Sequence, residues 1–174
     1  MKNLNADLKR KQEIFAQDGA DVSMLRIWLA DGTCANVLYR CMRWCATHKL
    51  GLLAYFFQWL NKFLNGCVIG SGADFAAGFV IMHPIGIVIN SKVVGGRNIT
   101  LESSVVIGDE KGKSPKLANN IFIGAGAKII GALTVADNVK IGANAVLTKD
   151  ANEGSTMLGI PAKAYQKCNN GENH

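Results

Sequence analysis

The chain has 174 residues, of which 49% are hydrophobic and 18% charged, and its formal net charge is +6. This composition fits one folded domain with a sizeable core and excludes a disordered chain. The basic residues form no dense block and do not alternate with aromatic residues, so no nucleic-acid partner is expected, although the positive charge suits an acidic cofactor.

Residues 1–65 are predicted to form a helical N-terminal region. Apolar residues recur there at helical spacing, for example at Leu53, Phe57 and Leu60, and Gly51 is the only glycine between Gly32 and Gly66. The uncharged stretch 50–61 is too short to cross a bilayer. We expect these helices to pack on one another and across a subunit interface, with peripheral membrane contact through residues 35–64 as the alternative.

The cysteines favour a reducing, cytoplasmic location. Their number is odd and no secretion signal precedes them, which argues against a disulfide framework. Cys41 and Cys45 share a helix face, but no second ligand pair follows and the chain has only three histidines. We therefore expect no metal site and interpret the cysteines as small buried apolar residues. The five are Cys34, Cys41, Cys45, Cys67 and Cys168.

From residue 69 the apolar residues follow a period of six. Of the fourteen positions reached in steps of six from Ile69 to Leu147, only Lys111 is not a large apolar residue. A small residue often comes next, as at Gly70, Gly124 and Gly142. The thirteen apolar positions are Ile69, Phe75, Ile81, Ile87, Val93, Ile99, Val105, Leu117, Ile123, Ile129, Val135, Ile141 and Leu147.

A strict period of six fits neither a helix nor a plain strand. It fits one short strand and one turn, and three such units close a triangular coil that stacks on the next. The sequence therefore predicts a left-handed parallel β-helix over residues 66–165, with a little over four coils, followed by a flexible tail at 166–174. The exception at Lys111 lies in the polar segment 109–116, which is predicted to leave the coil as an exposed, functional loop.

Four segments of the repeat region resemble the hexapeptide-repeat acyltransferases, and specifically the serine acetyltransferase family. Residues 83–89 (HPIGIVI) resemble the segment that carries the family's histidine base. Residues 123–131 and 139–146 are similar to its acyl-CoA coils, and residues 159–163 (GIPAK) to its terminal motif. The short helical N-terminus also resembles the colanic-acid acetyltransferases, which act in polysaccharide biosynthesis.

The resemblance implies an O-acetyltransferase that takes acetyl-CoA as donor and forms a homotrimer with sites between neighbouring prisms. Ala125 and Ala143 would let the cofactor arm approach the backbone. Lys140 and Lys163 would face the CoA phosphates, and Pro161 belongs to the terminal motif. The remaining expected cofactor contact is Gly108, whose N–H would stabilise the oxyanion at the start of the loop.

The catalytic base is predicted to be His83, the only histidine in the repeats, because imidazole titrates near neutral pH. Asp109, Glu110 or a backbone carbonyl are the candidates to orient it.

Two competing functions share the fold. A γ-type carbonic anhydrase would need three histidines around zinc, which the repeats do not supply, and a non-catalytic trimeric scaffold would not require His83.

Three departures from the family pattern affect the choice of acceptor. Met82 and Val68 replace two aspartates, and Lys113-Ser114 replaces an arginine–histidine pair. The replaced groups orient the base or hold the amino acid in the family. Their loss favours a sugar hydroxyl of a surface polysaccharide, with poorer turnover of L-serine, whereas the close match of the acyl-CoA coils favours serine.

Overall fold

The computed structural model describes residues 2–165; the predicted tail at 166–174 lies outside the described residues. The N-terminal region is helical, as the apolar spacing predicts. Its helices are α1 (Lys2–Gln17), α2 (Met24–Leu29), α3 (Thr33–Thr47) and α4 (Gly51–Asn65). Within the described residues no helix combines the length and apolarity needed to cross a membrane.

The repeats fold into short strands, numbered in chain order, that assemble into three sheets. Sheet 1 contains β1 (Val68–Ile69), β4 (Val88–Ile89), β7 (Val106–Gly108), β10 (Lys128–Ile130) and β13 (Val146–Leu147). Sheet 2 contains β2 (Asp74–Phe75), β5 (Val94–Gly95), β8 (Lys116–Leu117) and β11 (Thr134–Val135). Sheet 3 contains β3 (Val80–Ile81), β6 (Ile99–Leu101), β9 (Ile121–Ile123), β12 (Lys140–Ile141), β14 (Thr156–Leu158) and β15 (Lys163–Ala164).

The chain visits the three sheets in turn, so that each strand pairs in parallel with its counterpart one coil later. Only β15 is antiparallel, and it returns beside β14 at the end of the described chain. The result is a triangular prism of about four stacked coils. The predicted fold class, a left-handed parallel β-helix with an α-helical N-terminal region, is confirmed.

All thirteen apolar hexad positions are buried, but the inward-facing row is not the one that a fixed step of six describes. If every coil consisted of three hexads, residues paired between neighbouring coils would lie eighteen positions apart in the sequence. Instead Ile69 pairs with Ile89, twenty residues on, and Ile107 pairs with Ile129, twenty-two residues on. The two extra residues fall in the turn at 82–86, and the four extra residues fall in the loop after β7.

The two insertions together add six residues, so positions counted in steps of six coincide with the inward row again from Leu117 onward. Between the insertions, the counted positions lie two residues before the inward row. They are Ile87, Val93, Ile99 and Val105. These side chains are buried as well, because both rows face the interior. The fixed step of six therefore does not follow a single inward row from Ile69 to Leu147, although every apolar position that it reaches is buried.

Polar side chains of α3 pair with the open edge of the first coil. The Asn36 side chain accepts the N–H of Ile81 at 2.9 Å and donates to the carbonyl of Phe79 at 2.8 Å. The Tyr39 hydroxyl accepts the N–H of Phe75 at 3.0 Å and donates to the carbonyl of Ala73 at 3.2 Å. These backbone groups would otherwise lack partners at the end of the sheets.

An ion pair between α1 and α3 fastens both helices to the same coil. Arg40 donates to Asp7 Oδ2 at 2.7 Å, and Asp7 Oδ1 accepts the N–H groups of Gly78 and Phe79 at 2.8 and 2.9 Å. Arg40 also donates to the carbonyl of Phe75 at 2.7 Å. The helical region is thus held on the coil whose next turn carries His83.

The interpretation of the cysteines as buried residues is only partly right. Cys45 and Cys67 are buried, Cys41 is partly buried, and Cys34 is exposed near the start of α3. These four thiols are free. Cys168 lies outside the described residues.

Candidate active site

The turns that lead from sheet 3 to sheet 1 stack into one edge of the prism, which we call the 3–1 edge: residues 82–86, 102–104, 124–126 and 142–144. Backbone hydrogen bonds of 2.8–2.9 Å join each turn to the next, such as Gly126 N–H to Ser103 and Asn144 N–H to Ala125. Coils lie about 4.8 Å apart, so His83 in the first coil and Ala143 in the fourth are separated by about 14 Å along the axis.

His83 lies in the turn with two extra residues, which lifts it out of the coil. Pro84 is buried beneath the turn, and Gly86 adopts the left-handed conformation with φ 78°. The His83 side chain is 58% exposed. The insertion that breaks the hexad period thus presents an imidazole on the surface of the 3–1 edge.

The carboxylate that meets this imidazole is Asp31, in the turn between α2 and α3. Asp31 Oδ2 lies 2.8 Å from Nδ1 of His83. Since the carboxylate accepts a hydrogen bond from Nδ1–H, Nε2 is left as the basic nitrogen, open to solvent. An imidazole held this way can act as a general base.

This contact corrects the expectation that Asp109 or Glu110 orients His83. Both follow β7, where sheet 1 turns toward sheet 2, and the Glu110 side chain lies close to Gly131 on that other edge. Sequence reasoning missed Asp31 because its partner is 52 residues away. The signal that could have drawn attention to it is the Asp31-Gly32 dipeptide between two helices, which is typical of a tight turn.

The turn that carries Asp31 is packed directly against the chain that leads to His83. Gly32 has φ 75°, and a Cβ there would overlap the carbonyl oxygen of Ile81 and crowd that of Met82. Its N–H also donates to Asp31 Oδ1 at 3.0 Å. Only glycine permits both this conformation and this approach, so Gly32 fixes the distance between Asp31 and the first coil.

Five of the predicted cofactor residues gather toward the C-terminal end of the same edge. Ala125 is half-buried and Ala143 exposed, both on the 3–1 edge, and the exposed Lys140 lies in β12 just before it. Pro161 belongs to the turn that closes over the last coil, and Lys163 lies opposite Leu158 in the β14–β15 pair. His83 thus occupies one end of the edge and the predicted cofactor residues the other.

Gly108 does not join this group within one chain. It ends β7, where sheet 1 turns toward sheet 2, and its carbonyl accepts the N–H of Gly131 at 3.2 Å. The predicted loop follows it, with residues 109–113 exposed and Pro115 buried. Within one chain Gly108 and His83 lie on different edges, so the predicted role of Gly108 in stabilising the oxyanion requires its N–H to come from a neighbouring chain, as in the predicted homotrimer.

Residues 2–165 contain no group of three His, Cys, Asp or Glu side chains placed to hold a metal ion. His48 is exposed at the end of α3, where its ring stacks on Trp44 with centroids 4.4 Å apart. The histidine cluster of a γ-type carbonic anhydrase is not found in this part of the chain.

Comparison with known proteins gives one consistent result, although no family model matches the chain. A serine acetyltransferase from Helicobacter pylori is 37% identical over 143 residues, covering 80% of this chain and 84% of that protein. The solved serine acetyltransferase of Neisseria gonorrhoeae in complex with serine superposes with a TM-score of 0.84 at 31% identity, covering 93% of this chain and 67% of that one. A serine acetyltransferase in complex with CoA gives 0.85 at 25% identity, with 94% and 68% covered. The chain spans about two thirds of the length of these two solved chains.

Proposed function

Because the chain belongs to the serine acetyltransferase family, we propose that it transfers the acetyl group of acetyl-CoA to a hydroxyl group, with His83 as general base. The observation that carries this proposal is the 2.8 Å contact between His83 and Asp31 on the edge that also holds Ala125 and Ala143. Relatives solved with serine and with CoA support the two substrates.

In the proposed reaction, His83 Nε2 removes the proton of the acceptor hydroxyl as its oxygen attacks the thioester carbonyl. The tetrahedral intermediate then expels the CoA thiolate, which takes the proton back from the imidazolium. Asp31 keeps Nε2 unprotonated before attack and stabilises the imidazolium that forms. Backbone N–H donors stabilise the oxyanion, and Gly108 of a neighbouring chain is the proposed donor.

The cofactor is proposed to lie along the 3–1 edge, with its thioester at His83. The small side chains of Ala125 and Ala143 leave backbone N–H and C=O groups open to the amides of the pantetheine arm. Lys140, Lys163 and the turn at Pro161 would meet the nucleotide end, where ammonium groups attract phosphate.

We expect Ala143→Leu to weaken acetyl-CoA binding at least about tenfold, since a bulky side chain on the edge blocks the groove and displaces a positioned ligand. The melting temperature should change little, because Ala143 is exposed. Isothermal titration calorimetry measures the affinity, and Ala16→Leu is the matched control, an exposed alanine of α1 outside the repeats. Equal affinity in wild type and Ala143→Leu would place the cofactor elsewhere.

L-serine is the first acceptor to consider. The carboxylates of Asp31 and Glu102, on or beside the 3–1 edge, can attract its ammonium group. The groups missing relative to the family orient the base or hold the amino acid. Asp31 supplies a carboxylate that can orient the base, so only the loss of the groups that hold the amino acid still argues against serine. A sugar hydroxyl is the second candidate, because Met82, Val68 and Ser114 still replace the charged groups that hold an amino acid in the family.

The test is the release of free CoA from acetyl-CoA with L-serine and with a panel of glycosyl acceptors at matched concentration. Acetylation of L-serine, confirmed by mass spectrometry, is the expected result. Transfer to a sugar alone would establish the second candidate. No transfer to any hydroxyl, under conditions in which acetyl-CoA binds, would contradict the proposed function.

We further propose that the protein is a homotrimer whose chains complete one another's sites. One chain leaves Gly108 and His83 on different edges and exposes large apolar side chains along α4, including Leu52, Tyr55 and Trp59. A groove of about 1220 Å³ lies among the helices near Trp28 and Trp44, away from His83.

Light scattering should give about three times the 18.6 kDa chain mass. A monomer at micromolar concentration would contradict this, and co-sedimentation of such a monomer with anionic vesicles would favour membrane contact.

A further inference from the structure

A lysine of α1 is buried beneath the turn that carries Asp31. Lys11 is 2% exposed, and its neighbour Lys9 is exposed to solvent. The Lys11 ammonium donates to the carbonyl of Ile81 at 3.0 Å, to the Thr33 hydroxyl at 3.2 Å and to the carbonyl of Asp31. Its three N–H donors thus have three protein acceptors.

These acceptors lie on both sides of the His83–Asp31 contact. Asp31 and Thr33 flank Gly32 in the α2–α3 turn, and Ile81 precedes His83 by two residues at the end of β3. A single ammonium group therefore ties the turn that bears the carboxylate to the strand that leads to the imidazole. The Thr33 hydroxyl in turn donates to the carbonyl of Ile27 at 2.7 Å, which fastens the turn to α2.

Keeping a charge in this position is costly. Burial lowers the pKa of Lys11 to about 8, although the negative charges of Asp31 and Glu102 act to raise it. Lysines are seldom fully buried unless a partner or a function holds them there. The arrangement leaves the ammonium largely charged at neutral pH and directs its hydrogen bonds to the turn and to β3.

We propose that Lys11 is a positioning residue of the acetyl-transfer site: it holds the Asp31 turn against β3 so that the carboxylate meets Nδ1 of His83. Without the ammonium, the buried carbonyl of Ile81 and the partly buried carbonyl of Asp31 lose a donor, and the turn relaxes away from the first coil. A displacement of about 1 Å in a catalytic group can cost about 10²-fold in rate. The kinetic part rests on the proposed function, whereas the geometric part concerns the His83–Asp31 contact alone.

The test compares Lys11→Met, which keeps the chain length and removes the charge, with Lys9→Met on the exposed side of the same helix. The first readout is the tautomer of His83 in the ligand-free protein, from ¹⁵N chemical shifts assigned by comparison with His83→Ala. In wild type and Lys9→Met, Nδ1 should carry the proton. In Lys11→Met the two tautomers should mix, as in Asp31→Asn.

The second readout is kcat at saturating acetyl-CoA and acceptor. Lys11→Met should lower kcat by about 10–10²-fold with unchanged affinity for acetyl-CoA, and the double variant with Asp31→Asn should be about as slow as Asp31→Asn alone, because Lys11 is proposed to act through Asp31. A lower melting temperature with wild-type tautomer and wild-type kcat would overturn the proposal and make Lys11 purely structural. If Lys11→Met does not fold, Lys11→Gln, which keeps an amide donor, is measured against the same outcomes.

The two readouts separate this proposal from the function beneath it. If the wild-type protein transfers no acetyl group, the proposed function fails and the tautomer measurement still decides the role of Lys11. If transfer occurs and Lys11→Met leaves the His83 tautomer unchanged, only the positioning role fails.

Discussion

Replacing His83 with alanine is expected to lower kcat for acetyl transfer by about 10²–10⁴-fold, the usual contribution of a positioned general base. Acetyl-CoA affinity should change little, because the proposed cofactor contacts lie on later coils. The side chain is exposed, so the melting temperature should also stay close to that of wild type. Steady-state kinetics, calorimetry and thermal unfolding on one variant measure all three.

His48→Ala is the matched control, since His48 is exposed at the end of α3 and away from the 3–1 edge. A variant that unfolds more easily but loses activity only in proportion would make His83 structural. Full activity would exclude it as the base.

Asp31→Asn is expected to lower kcat by about 10²-fold. Loss of a buried carboxylate from such a pair costs about 10⁴-fold in a serine protease. Asp31 is 61% exposed, so water can take over part of its role and the effect should be smaller. The Michaelis constant for acetyl-CoA should stay unchanged, because Asp31 is assigned to the base and not to the cofactor.

Asp21→Asn serves as the control for this variant, since Asp21 is also exposed and precedes α2. A wild-type rate in Asp31→Asn would mean that the 2.8 Å contact has no role in turnover.

The sequence was sufficient to predict the β-helix because the pattern that specifies its core repeats over only six residues. One large apolar residue in nearly every hexad can be recognised without knowledge of any long-range contact, and all thirteen of these residues from Ile69 to Leu147 are buried. The exact register was not accessible. Ile87 and Val93 belong to a second buried row, so apolarity alone does not distinguish them from the inward residues Ile89 and Leu101.

In the candidate site, too, the sequence predicts what a local motif carries and not what depends on long-range contacts. His83 was found because a local motif carries it. Asp31 lies in the α2–α3 turn and Lys11 in α1, and their contacts with the first coil span 52 and 70 residues. Lys9, Arg10 and Lys11 are all basic residues in the sequence, and only tertiary packing buries Lys11 while Lys9 stays exposed and Arg10 partly exposed. The sequence therefore predicted the proposed base, His83, and not the residues that the structure places around it.

These contacts change the role assigned to the helical region. The sequence suggested a subunit interface or a membrane contact for residues 1–65. The structure adds that α1 and the α2–α3 turn reach the first coil through Lys11, Gly32 and Asp31. Substitutions in these helices should therefore affect turnover as well as assembly.

A double-mutant cycle on His83 and Asp31 tests most directly whether the two residues act as one catalytic unit. Acetyl transfer is measured for wild type, His83→Ala, Asp31→Asn and the double variant at saturating substrates. If Asp31 acts only through the imidazole, the double variant should be as slow as His83→Ala alone, because groups that work as a unit are not additive. If the two losses instead multiply, Asp31 acts independently of His83 and the proposed base pair is wrong.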